Sequence, residues 1–142
     1  VLIDIRTPSI EKLKIIGVGD IASVKAINVD ALALEVIGNG DMDLIVNCTS
    51  LTTNIEGSSR IQIQGTAQNH DVTINGGGAI QGLELISDSV SFTSLSTGSA
   101  QLLVNKFLAA DLRGNGGVIL RGDADFERTG NGDGKVEPWS GL

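Results

Sequence analysis

The chain has 142 residues, of which 41% are hydrophobic but only 3% aromatic, and a formal net charge of −7. That length makes one domain, residues 1–142, with enough apolar mass for a core but too few rings to fill a wide one. The acidic balance, with no basic run, disfavours nucleic acid as a partner, and no apolar stretch approaches the roughly 18 residues of a membrane helix.

Glycine-marked corners punctuate the chain about every twenty residues. Gly17-Val18-Gly19-Asp20-Ile21 comes first, then Gly38-Asn39-Gly40-Asp41-Met42, Gly57-Ser58-Ser59-Arg60-Ile61 and Gly76-Gly77-Gly78-Ala79-Ile80. Ser96-Thr97-Gly98-Ser99-Ala100, Gly114-Asn115-Gly116-Gly117-Val118 and Gly130-Asn131-Gly132-Asp133-Gly134 bring the set to seven. Steps between their first positions are 21, 19, 19, 20, 18 and 16 residues. Between corners the apolar residues alternate. Leu32, Leu34 and Val36 enter the second corner, and Met42, Leu44 and Val46 leave it. Leu51, Thr53 and Ile55 precede the third, with Ile61 and Ile63 after it; Val72, Ile74 and Ile80 flank the fourth. Val90 and Phe92 approach the fifth, and Ala100, Leu102 and Val104 leave it. Phe107, then Ala110 and Leu112 after a shift of phase, lead to the sixth, with Val118 and Leu120 beyond. Period two over four to six residues is the signature of strands. Lys12 to Val29 contains good helix formers, but Gly17 and Gly19 interrupt it, so the chain reads as nearly all β.

Hairpins in a sandwich would vary in turn length and chemistry from loop to loop. Here small residues recur at the first and third corner positions in the same phase. That pattern predicts a β-solenoid of about seven coils, with corners stacked at the ~4.8 Å strand spacing and a rod of roughly 34 Å. The corner residues are Gly17, Gly19, Gly38, Gly40, Gly57, Gly76, Gly78, Gly98, Gly114, Gly116, Gly130 and Gly132. Asn39, Asn115 and Asn131 are read as turn residues that tolerate left-handed backbone rather than as an amide ladder.

Chemistry-bearing residues are sparse. Asp20, Asp41 and Asp133 follow Gly-x-Gly, with Asp43 close by, and stacked carboxylates are what calcium or an acid/base pair would use. The equivalent positions of later coils are Arg60, Ala79, Ser99 and Gly117, so the acidic stack is two deep, and turn capping is the better reading. The last corner has Asn131, Asp133 and Gly134 in EF-hand-like order, but Thr129 and Ser140 stand where the first and twelfth ligands belong. His70, the single histidine, falls in Gln68-Asn69-His70-Asp71 and reads as a solvated turn residue. Cys48, the single cysteine, reads as a small buried hydrophobe. Trp139 could cover the end of the rod or stack on a sugar, and is read as a lid because terminal coils need their open core covered. Asn47-Cys48-Thr49 fits a glycosylation sequon within a strand. No catalytic residue and no cofactor are expected, calcium being the one ion the aspartates would admit. Val1 is not an initiator Met, which suggests a mature or trimmed form.

The repeated turn-and-strand unit, written here as Val36-Ile37-Gly38-Asn39-Gly40-Asp41-Met42-Asp43-Leu44, resembles that of the putative auto-transporter adhesin, head GIN domain family of bacterial exported proteins, from about Leu13 to Val136. The resemblance implies a β-helical, cell-surface or periplasmic protein, often lipid-anchored, with an adhesin-like role and no catalytic residues to transfer. The expected function is a non-enzymatic rod that displays flat polar faces to a glycan or protein ligand. Self-association through strand edges is a further expectation. The alternative is a carbohydrate-active β-helix that binds or cleaves polysaccharide.

Overall fold

The computed structural model describes residues 10–139. Alternating segments form β1 (Lys12–Gly17), β2 (Asp20–Ala22), β3 (Ile27–Asn28), β4 (Ala31–Gly38), β5 (Asp41–Gly57) and β6 (Arg60–Asn75). They continue as β7 (Ala79–Ser94), β8 (Ser99–Leu112), β9 (Val118–Arg121), β10 (Asp125–Thr129) and β11 (Val136–Pro138), and the described residues contain no helix. Pairing runs β1-β4-β5-β6-β7-β8-β9-β11, with β2 and β3 also on β5 and β10 on β8. Each pairing is parallel. Parallel neighbours need a long return connection. Here the rest of the coil supplies it, so the molecule is a β-solenoid.

Because equivalent residues stack, the interior is a set of columns. Leu32, Leu51, His70, Val90, Leu108 and Phe126 form one. Leu34, Thr53, Val72, Phe92, Ala110 and Arg128 form the next. Met42, Ile61, Ile80, Ala100, Val118 and Val136 line the opposite wall. Nearly all the aliphatic members are buried, and each contributes about 1.5–3 kcal/mol of transfer free energy. A slim core of this kind has room for Phe92 but for few other rings.

The corners stack as the period predicts. Gly38 lies on Gly17 and Gly57 on Gly38. Gly57 has φ +115°, and a Cβ there would land on the Gly38 carbonyl oxygen, so backbone conformation and close stacking both require glycine. At the third corner position Ser59 replaces glycine. It is buried, and its hydroxyl donates to the Gly38 carbonyl at 3.0 Å, so the substitution costs no unpaired polar group.

Two details differ from the sequence reading. The seventh corner in register is Gly132-Asp133-Gly134: Val136 pairs with Val118, and Gly132 and Gly134 approach Gly114 and Gly116. Gly130 instead sits over Leu112, two residues early, because β10 continues β8's register through Thr129 on Asp111. The last step is therefore 18 residues, from Gly114 to Gly132, not 16. Phe107 also faces outward, 40% exposed, while Leu108 takes the interior position. Asn105, Lys106 and Phe107 are exposed in succession, and this bend absorbs the phase shift.

Candidate functional site

Beyond each corner the chain enters a flat outward face, and the carboxylates lie there. Asp20 pairs with Asp41, so the two occupy adjacent rungs. The Asp41 N–H donates to Asp20 Oδ1 at 3.2 Å, and the Arg60 N–H donates to Asp41 Oδ1 at 3.2 Å. Each carboxylate thus holds the backbone of the coil above it. Asp43, Arg60 and Gln62 help line an open depression around this ladder. In register the position continues through Ala79 and Ser99, which ends the acidic run. Asp133 does not belong to the ladder. It lies in the middle of the seventh corner, and Lys135 occupies the Asp20-equivalent place, since the corner begins two residues later than its sequence suggests. Among the described residues, no three His, Cys, Asp or Glu side chains gather closely enough to hold a metal ion. Ser140, the twelfth position of the EF-hand comparison, lies outside the described residues.

A second outward stripe follows from register alone: Asn28, Asn47, Thr66, Ile86, Leu103 and Arg121 stack in consecutive coils. Asn47 Nδ2 donates to Asn28 Oδ1 at 3.0 Å, and Thr66 Oγ1 donates to Asn47 Oδ1 at 3.1 Å. This polar ladder borders an open depression that also includes Asp30, Cys48 and Thr49. The Asn47 amide of the sequon is therefore engaged in the ladder. The stripe turns apolar at Ile86, which is 46% exposed. It ends where the Arg121 guanidinium sits 4.5 Å from the Trp139 ring centroid, a cation–π stack. Trp139 thereby extends the outward stripe, and does not cover the core as a lid. The alternation decides this: Pro138 follows Leu120 in the inward register, so Trp139 follows Arg121.

Two residues behave differently from their sequence context. His70 is 1% exposed and lies in an interior column, not in a solvated turn. Its Nε2 hydrogen-bonds Thr53 Oγ1 at 2.9 Å, and its Nδ1 has no partner. Burial disfavours the imidazolium and lowers the pKa to about 4. Arg128 ends the next interior column, and its guanidinium donates to the carbonyls of Gly130 at 2.8 Å, Gly132 at 2.6 Å and Gly134 at 2.7 Å. One signal could have found both: counting 19 residues from Leu51 reaches His70, and 18 from Ala110 reaches Arg128. Cys48 is partly buried and free, and burial raises its thiol pKa, so it lacks the thiolate character of a nucleophile.

The stacked-coil fold recurs in known proteins. The family described as putative auto-transporter adhesin, head GIN domain, matches residues 1–124. The chain belongs to this family. Membership implies an exported or cell-surface protein of adhesin-like type. Among solved structures, a putative adhesin from Bacteroides fragilis is similar at TM-score 0.84 and 23% identity, over 94% of this chain and 62% of that one. A putative lipid binding protein from Parabacteroides distasonis is similar at TM-score 0.73 and 16% identity, over 93% of this chain and 59% of that one. At such identities the likeness concerns the fold, and this head GIN domain chain spans about three fifths of either neighbour. No curated protein matches the chain. No helix among the described residues is long and apolar enough to cross a membrane.

Proposed function

We propose that the protein is an exported, non-enzymatic binding module that presents the outward stripe from Asn28 to Trp139 to a ligand at the cell surface. One observation carries this reading: the stripe joins an amide ladder, an apolar middle and an Arg–Trp stack on one flat, rigid face. Amides and a stacked indole suit hydroxyl-rich, ring-shaped ligands such as glycans, and the exposed Ile86 adds apolar contact. The carboxylates of Asp20 and Asp41 each accept a backbone N–H of the coil above, a turn-capping use that fits a non-enzymatic module.

A glycan array read by fluorescence, combined with a polysaccharide-cleavage screen with and without calcium, tests the reading. Binding without turnover is expected, and Asn47→Ala or Trp139→Ala should weaken it at least tenfold. Turnover that disappears in Asp20→Asn or Asp41→Asn would replace the binding module with a carbohydrate-active enzyme. The name of the Parabacteroides neighbour adds a second arm, binding to lipid vesicles, for which the exposed Ile86 and Phe107 are the groups to substitute.

A further inference from the structure

We infer that Arg128 is a plug that keeps a second copy of the chain from stacking on the last described coil, and that the first and last described coils are otherwise complementary. In the coil below, the carbonyls of Leu112 and Gly114 accept N–H donors from Gly132 and Gly134, one rung up, at 3.0 and 3.1 Å. Gly130 and Gly132 are the next members of those two columns. Their carbonyls accept from Arg128 instead, at 2.8 and 2.6 Å. A single guanidinium therefore takes the acceptors that another coil would need, with charge-assisted bonds that a backbone amide does not match. The side chain also holds the interior place. The column that ends in Ala110 and Arg128 begins in Leu13 and Leu34, so the β1 of an incoming copy would put Leu13 directly over Arg128.

The occupant this end fits is a second copy, translated along the rod. Among the described residues β1 pairs only with β4 and β10 only with β8, leaving one edge of each without a partner. Following the columns, Lys12 of an incoming copy would lie over Glu127 and Asp20 over Lys135, two opposite-charge pairs of opposite polarity. Ile21 would continue the column of Val136, and Gly17 and Gly19 the corners of Gly132 and Gly134. Such head-to-tail contact does not close on itself and generates filaments, a hazard that the plug prevents.

Sedimentation velocity of the whole chain tests this directly. Wild type is expected to remain monomeric, while Arg128→Ala, with its sheet signal intact by circular dichroism, forms a salt-sensitive series of oligomers at the same concentration. Adding Lys12→Glu should weaken that association at least tenfold, and adding Glu127→Lys to the pair should restore it. Arg128→Met keeps the apolar stem and gives the same reading if the alanine variant does not fold. Folded Arg128 variants that stay monomeric would overturn the proposal. So would oligomers indifferent to the charge swaps, or wild type that assembles as readily as the variants.

Discussion

His70 places an ionisable ring where five coils otherwise offer aliphatic or aromatic carbon. Its pKa falls from 6.5 to about 4 because the interior does not solvate the charged form. The unfolded chain therefore binds this proton first. Stability from the neutral ring is complete above pH 6.5 and is lost as pH falls toward 4, by about 3 kcal/mol for a shift of this size. Urea unfolding at pH 7 and pH 4.5 should show that loss in wild type, and His70→Leu should remove most of it. Leucine already stands one rung below at Leu51, so the volume is accommodated, and the remaining cost is the unpaired Thr53 hydroxyl. Protonation of the many surface carboxylates relieves repulsion in a protein of charge −7 and acts in the opposite direction, which makes the leucine variant the necessary control. Asp41→Asn should change stability by about 1 kcal/mol or less at pH 7, because an amide oxygen still accepts the Arg60 N–H.

At the scale of the corner, stability depends on the backbone more than on any side chain. Gly57→Ala demands a left-handed conformation that alanine rarely adopts and drives its methyl into the Gly38 carbonyl. A loss of about 2–4 kcal/mol in urea unfolding is expected, whereas Ser58→Ala on the exposed tip of the same corner should stay within about 0.5 kcal/mol. This element was the most legible part of the sequence, since glycine spacing and period-two alternation report backbone stacking directly. What remained hidden came from the same periodicity read too locally. Gly130-Asn131-Gly132 looks like a corner, yet β10 carries its register two residues further, and only the pairing of Thr129 with Asp111 reveals it. His70 was masked by polar neighbours that point outward while it points inward. The stripe from Asn28 to Arg121 joins residues 17 to 20 positions apart, and no local motif marks such a surface.

For the whole rod, each coil touches only the coils beside it, so cohesion is a sum of neighbour terms and declines toward both ends. Amide exchange should be slowest in β6 and β7, which are covered on both sides by long strands, and fastest in β2, β3, β10 and β11. Uniform protection from Lys12 to Glu137 would show instead that the coils melt as one cooperative block. The same one-dimensional layout makes the outward stripes extended surfaces, which suits the binding module proposed above.

The pairing of Trp139 with Arg121 has a practical corollary. The chain contains no Tyr and a single Trp, so nearly all its ultraviolet emission originates from that one indole in the final rung. Intrinsic fluorescence is thus a local thermometer for the last coil. Heated gradually, the protein should lose this optical signal before its β-sheet dichroism, and the gap between the two curves would measure how far fraying runs ahead of collapse.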